Sequence, residues 1–319
     1  MLLSEFPHGF LVFFAVLFGL ALGSFLNVVI YRVPLGLSVV RPPSACPACG
    51  KPIRSTDNIP VLSWLLLRGK ARCCGVSIAP RYPLVELLGG VMAWAVLEAT
   101  VLNDPTRPLT EGLLLFPIFL FFALSLVAAV FIDFEHMLLP DEITWPLACM
   151  GLLSAPVRDV PIIKLIIGAA LAYLIVWVPF IWLYRLVRGH PGMGLGDAKL
   201  LFAVGCWFGL PGALFSLLAG AVQGTLLVIA VFVARGKVDE PKAVQEERRA
   251  LQAHLAALPD EERKALEADL AHDPLAFEAK PGLGQARLAF GPFLALAALE
   301  YMVWGDAIKE RYFTWILGQ

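Results

Sequence analysis

Two aspartates stand where a carboxylate is costly. Asp197 follows the turn Gly192-Met193-Gly194-Leu195-Gly196 and precedes Leu200, Leu201, Phe202, Ala203 and Val204, so an ionisable group sits at the mouth of an apolar helix. Asp133 closes the apolar run from Leu126 to Ile132 and opens the stretch that ends Leu138-Leu139-Pro140-Asp141. Carboxylates inside or at the edge of a bilayer are expensive and functional by default. Taken alone, Asp197 reads equally well as an acidic helix cap. The pairing separates the two readings, because both aspartates are expected at the same ends of their helices and at similar depth. Two carboxylates brought face to face cannot both ionise cheaply, so they share a proton and titrate as a pair. One then acts as base toward a water while the other protonates a carbonyl oxygen, which is the chemistry of aspartic hydrolysis.

The glycines around Asp197 have a matching use, since a turn without side chains lets a substrate backbone approach an aspartate closely. They equally permit the chain break before the helix. Gly194, Gly196 and Lys199 are therefore the candidate substrate-binding residues, with Lys199 either tuning Asp197 or anchoring the helix at the headgroups. Glu135, His136, Asp141 and Glu142 read as solvated charges at the interface.

A second constellation is Cys46-Pro47-Ala48-Cys49-Gly50 followed by Cys73-Cys74-Gly75. A Cys-x-x-Cys and a later cysteine pair form the pattern of a structural zinc site, in which four thiolates close a tetrahedron. Cys73 and Cys74 are adjacent, however, and vicinal thiolates fit one tetrahedron less easily. Cys46, Cys49, Cys73 and Cys74 are thus candidate zinc ligands, with reduced or partly paired cysteines on a cytoplasmic loop as the other reading. Cys149 and Cys206 fall inside apolar segments and are expected to be small buried residues.

The elements that must carry these groups are membrane helices. Of 319 residues, 59% are hydrophobic and only 16% charged, and the mean hydropathy is +0.75; a water-soluble domain of this size is not so apolar. The expected fold is an all-α polytopic membrane protein with about eight transmembrane helices. The candidate spans are 10–30, 83–102, 113–132, 142–155, 162–184, 198–210, 212–234 and 290–305. The first is expected to be retained rather than cleaved as a signal. Segments 142–155 and 198–210 fall short of a full crossing. The loop after the first span carries Arg32, Arg41, Lys51, Arg54, Arg68, Lys70, Arg72 and Arg81 against the single acid Asp57, which places it in the cytoplasm. Alternation then puts Asp133 and Asp197 at the cytoplasmic face and both chain ends outside.

The expected organisation is a first span (1–31), a cytoplasmic Cys-loop domain (32–81), a transmembrane core (82–235), a charged cytoplasmic insertion (236–289) and a last span with its tail (290–319). Within the insertion, Leu251, Leu255 and Leu258, then Leu266 and Leu270 after Pro259-Asp260, predict a solvated hairpin of two short amphipathic helices. Nothing in the composition points to nucleic acid.

Beside this reading, the motifs resemble those of the bacterial type IV prepilin peptidases, which share a Gly-x-Gly-Asp motif with other intramembrane aspartic proteases. The resemblance rests on Gly23 to Arg32, the Cys46–Cys49 pair, Asn58 to Trp64, Arg81 to Glu86, Asp133 to Asp141, Gly192 to Leu200 and Phe290-Gly291-Pro292-Phe293. It implies that Asp133 and Asp197 are the catalytic aspartates. It also implies that prepilins or pseudopilins of type IV pilus assembly and type II secretion are the substrates, cleaved after a Gly at the cytoplasmic face of the bacterial inner membrane. The new N-terminus is then methylated with S-adenosylmethionine, and the Cys loop is the part associated with zinc and with methyl transfer. The chain departs from the family pattern where Ala71 occupies the place of the third cysteine, and in its charged insertion. Two other classes are compatible with the residues alone: a proton- or cation-coupled transporter using the paired carboxylates, and a zinc-loop scaffold without catalysis.

Overall fold

The computed structural model describes residues 2–236, 242–270 and 289–317. Among them the chain is helical, with no strand beyond isolated bridges. In order, the helices are α1 (His8–Arg32), α2 (Leu62–Leu66), α3 (Arg81–Val96), α4 (Leu109–His136), α5 (Asp141–Leu153), α6 (Ile162–Val176), α7 (Tyr184–Arg188), α8 (Leu195–Arg235), α9 (Lys242–Ala257), α10 (Asp260–Leu270) and α11 (Gly291–Leu317). Wider π-helical turns extend α3 over Leu97–Val101 and join α6 to α7 over Trp177–Leu183. Five of these helical stretches are long and apolar enough to cross a membrane, beginning at His8, Arg81, Leu109, Ile162 and Leu195. The protein is thus an all-α membrane protein.

The chain divides into two compact units. The first comprises Met1–Ala129, Trp145–Pro161 and Leu299–Gln319. In it α1 packs against α3 through small residues: a methyl group on Gly23 would lie 2.8 Å from the Glu86 Cα, and one on Gly19 would collide with Ala93 and the Gly89 carbonyl. Membrane helices use such positions to bring their backbones together. A small apolar core of Leu3, Ala15, Leu97, Val101 and Leu115 lies in the same unit. The Cys loop is held to α3 by the Val61 N–H, which donates to Glu86 Oε2 at 2.6 Å, and is braced within itself by the Trp64 indole, which donates to the Ile78 carbonyl at 3.1 Å.

The second unit comprises Val130–Thr144 and Ile162–Ala298. Its centre is the pair α6 and α8, where Gly205 sits so close to Ala169 that a methyl would come within 2.5 Å of its Cα. At 41 residues α8 is about 60 Å long, twice a hydrocarbon core of roughly 30 Å. It is broken at Gly209, whose φ of 66° and ψ of −165° lie outside helical space, with Pro211 just beyond. The break falls between the segments 198–210 and 212–234 expected as separate spans. The charged insertion begins with α9 and α10, divided at Pro259 as the leucine spacing predicts; its residues 237–241 and 271–288 lie outside the described residues. Cys206 is buried as expected. Cys149, by contrast, is exposed on the surface of α5.

Candidate functional site

Asp133 and Asp197 both belong to the second unit, and both are buried, at 6% and 9% exposure. Each is placed by a helix end. Asp133 is on the last turn of α4, where its carbonyl accepts the Met137 N–H at 2.8 Å; Met137 then takes φ of 51° and ends the helix. Pro140 follows and cannot extend α4, and its carbonyl receives the first free N–H groups of α5, those of Ile143 and Thr144, both at 3.1 Å. Asp197 is the third residue of α8, whose N-cap is Gly194 in extended conformation. The Asp197 carboxylate is directed back toward Gly194 at the start of the helix.

The two carboxylates are close enough for the charge on one to act on the other. Leu139 and Gly291 set their surroundings. A methyl on Gly196 would meet the Leu139 Cβ at 3.0 Å, and one on Gly291 would meet the Leu139 Cδ1 at 3.1 Å and Oδ2 of Asp133 at 2.5 Å. Leu139 thus fills the space between the glycine beside Asp197 and the glycine beside Asp133. The Gly291 N–H is directed at the Asp133 carboxylate, yet Oδ2 is buried and closes no well-formed hydrogen bond with the protein. A buried carboxylate oxygen left without a partner is costly, and is expected where water or a substrate completes the site.

Lys199, expected to tune Asp197 or to anchor the helix, forms an ion pair at the start of α8. Its ammonium donates to Oδ1 of Asp141 at 2.5 Å, tying the first turn of α8 to the first turn of α5. Asp141 is accordingly paired, not merely solvated. Gly194 and Gly196 are placed as the glycine turn predicts, beside Asp197, but Gly196 is close-packed on Leu139. Gly291, Leu139 and Asp141 are the residues that reading by type and spacing missed. The runs Phe290-Gly291-Pro292 and Leu138-Leu139-Pro140-Asp141 are their visible signals.

The cysteines form a second site, in the first unit. Two matching turns carry them. In one, the Cys46 N–H donates to the Lys51 carbonyl at 2.9 Å and the Gly50 N–H to the Cys46 carbonyl at 2.8 Å. In the other, the Ala71 N–H donates to the Val76 carbonyl at 2.8 Å and the Gly75 N–H to the Ala71 carbonyl at 2.7 Å. Ala71 therefore occupies the backbone position of Cys46, and Cys74 that of Cys49. Cys73 nevertheless brings its sulfur within 3.4 Å of Cys49, Cys46 lies 3.6 Å from Cys74, and Cys73 and Cys74 are 3.8 Å apart. All four sulfurs lie within 4.8 Å of one another. A tetrahedron with Zn–S bonds of about 2.3 Å has S–S edges of roughly 3.8 Å, so the four residues fit that ion. The backbone N–H groups of Cys49 and Ala48 draw the Cys46 thiol down to about 6. The hydrogen bond with Cys49, followed by desolvation, pushes Cys73 up to about 12. Four crowded thiols cannot all ionise without a cation among them.

The sequence matches two family descriptions, the Bacterial Peptidase A24 N-terminal domain over residues 17–99 and the Type IV leader peptidase family over residues 120–229. Among similar proteins, the prepilin leader peptidase/N-methyltransferase of Aeromonas salmonicida is 33% identical over 99% of each chain. That of Dichelobacter nodosus is 39% identical over 74% of this chain and 89% of its own. That of Klebsiella pneumoniae is 43% identical over 61% of this chain and 84% of its own. No solved structure matches the chain.

Proposed function

The chain belongs to the type IV leader peptidase family, and from that premise we propose that Asp133 and Asp197 are the catalytic pair of a prepilin leader peptidase that also N-methylates its product. The observation that carries the assignment is the pairing itself: two buried carboxylates from opposite helix ends, brought together around Leu139, one with an unsatisfied oxygen. A transporter reading has no relative to support it.

The reaction adds water across the peptide bond that follows the leader, after Gly by the resemblance. The ionised carboxylate of the pair takes a proton from the water as its oxygen bonds to the carbonyl carbon. The protonated partner gives its proton to the carbonyl oxygen, producing a neutral tetrahedral diol. Return of a proton to the nitrogen breaks the C–N bond and releases a leader carboxylate and a new N-terminal amine. Leu139 and the closely packed glycines keep bulk water out, which strengthens the electrostatics within the site. Substrate is a prepilin or pseudopilin, entering from the cytoplasmic face of the inner membrane, where the basic Cys loop is placed by its charge.

The second activity transfers a methyl group to that amine, with S-adenosylmethionine as donor, and we assign it to the half of the chain containing α1, the Cys loop and α3. Cys46, Cys49, Cys73 and Cys74 would hold a zinc ion there. Four thiolates leave no open coordination position, so the ion's contribution is to fix the loop.

Purified enzyme incubated with a synthetic prepilin containing a Gly-Phe junction should release the leader, and the product should gain one methyl group when S-adenosylmethionine is present. Asp133→Asn and Asp197→Asn should each stop cleavage, slowing it by at least about 10²–10⁴-fold, the scale of a lost acid or base. Both should still methylate a substrate supplied already cleaved. Normal processing by either variant, shown by mass spectrometry, overturns the assignment.

A further inference from the structure

Short as it is, α2 has two distinct faces. Leu62, Leu65 and Leu66, at helical spacing, are 48%, 58% and 73% exposed, and Ile59 one turn earlier is 47% exposed. Ser63 points the other way and is buried, its hydroxyl donating to the Thr56 carbonyl at 3.1 Å and accepting the Ile59 N–H at 2.9 Å. The inner side of this segment is thus satisfied, and its apolar side is uncovered among the described residues of its unit.

Its depth is set by α3. The Val61 N–H at the start of α2 is held by Glu86, on the second turn of α3, and the Trp64 indole by the carbonyl of Ile78, just before α3 begins. That same end of α3 meets α1 near its own end, where the Asn27 amide donates to the Tyr82 carbonyl at 3.0 Å. Both helices are membrane-crossing, one ending at Arg32 and the other starting at Arg81. The leucine face is therefore fixed level with the membrane boundary. Around it are exposed Arg54, Arg68 and Lys70. The single acid of the loop, Asp57, is occupied by the Arg72 guanidinium at 2.9 and 3.1 Å.

We infer that α2 is an interfacial anchor, lying in the membrane surface with Ile59, Leu62, Leu65 and Leu66 at the acyl boundary and Arg54, Arg68 and Lys70 on anionic lipid headgroups. An apolar face bordered by basic residues and held at the boundary is the composition such an element needs. The occupant is lipid, since the face lies at the level where anionic headgroups meet the acyl chains and its cations match those headgroups. Docking this way keeps the Cys loop against the bilayer.

The test uses the full-length enzyme in liposomes containing phosphatidylglycerol, with a benzophenone amino acid in place of Leu66. Illumination should give a lipid adduct, detected by mass. A prepilin adduct in its place, or no adduct, overturns the inference. Unmodified enzyme provides a second measurement, hydrogen exchange of the amides of residues 62–70. Each basic residue beside an anionic surface is worth roughly fivefold, so exchange should be at least about fivefold slower in phosphatidylglycerol nanodiscs than in phosphatidylcholine ones. The R54Q/R68Q/K70Q variant should lose that difference. Equal exchange in the two lipids for the unmodified enzyme also overturns it.

Discussion

Lys199 Nζ lies 2.5 Å from Oδ1 of Asp141, so the helix start that carries Asp197 is tied to the segment that returns from Asp133. The bond is between partly exposed groups, with side chains 25% and 53% accessible. Pairs of this kind contribute only about 0–1 kcal/mol to stability. Their greater consequence here is geometric, since Lys199 is two residues from Asp197.

Lys199→Gln should therefore leave the melting temperature almost unchanged and reduce the kcat for leader removal, with little effect on KM. The loss should stay within about fivefold, the rate equivalent of 1 kcal/mol. The exchanged pair D141K/K199D should recover most of the lost rate. A large rise in KM for Lys199→Gln, unrelieved by the exchange, would mean that Lys199 contacts the substrate instead.

Gly291→Ala is the sharper test of the catalytic geometry. Alanine normally favours a helix over glycine by about 1 kcal/mol, so sequence rules alone predict a stabilised α11. The added methyl, however, would lie 2.5 Å from Oδ2 of Asp133 and 3.1 Å from Leu139. Something must move, and overpacking costs about 1–3 kcal/mol. The clash outweighs propensity, and displacing a catalytic carboxylate by about 1 Å costs on the order of 10²-fold in rate. Gly291→Ala should insert normally, cleave prepilin about 10²-fold more slowly and methylate pre-cleaved substrate at the normal rate. Cleavage at the unmodified rate would show that Asp133 is not where the reaction occurs.

Why the sequence announced Asp133 and Asp197 but not Gly291 or Leu139 has a physical answer. A carboxylate against an apolar run is visible in one dimension, because its cost depends only on its neighbours in the chain. Leu139 looks like any leucine, and what distinguishes it is that α11 and α8 bring two glycines to it from far along the chain. The same holds for Lys199, whose partner Asp141 is 58 residues away. The α8 break was expected only as the gap between the spans 198–210 and 212–234, and the two insertion helices from leucine spacing. The exposure of Cys149 was not, since an apolar segment does not reveal which of its faces is exposed.

The cysteine turns lead to an exchange of ligand positions. Because Ala71 has the backbone hydrogen bonds of Cys46, a cysteine there should reach the place that Cys73 now serves from the neighbouring chain position. Cys73→Ala should lower zinc content to well below one ion per chain. The double variant A71C/C73A should restore it, as measured by elemental analysis after dialysis against a weak chelator. Failure of the double variant to hold zinc, with Cys73→Ala still holding it, would remove Cys73 from the ligand set.

Glu86 and Val61 make the last case, in which strain and a hydrogen bond work against each other. Val61 has φ of 61° and ψ of −48°, a conformation hostile to a β-branched residue, and such strain costs about 1–3 kcal/mol. It persists because the Val61 N–H bonds to the Glu86 carboxylate at 2.6 Å, and hydrogen bonds to charged groups contribute about 1.5–3 kcal/mol. Glu86→Ala removes the bond and leaves the strain, so the Pro60–Val61 turn should release α2 from α3. Val61→Gly keeps the bond and removes the strain, at an entropic cost of only about 0.5–1 kcal/mol. Limited proteolysis of the Cys loop should thus accelerate in Glu86→Ala and slow, or stay unchanged, in Val61→Gly. Combining the two changes should bring the rate back toward the parent, because a glycine at position 61 no longer needs the carboxylate to hold its backbone. An unchanged rate in Glu86→Ala would show that the turn is held by its inner contacts at Ser63 alone.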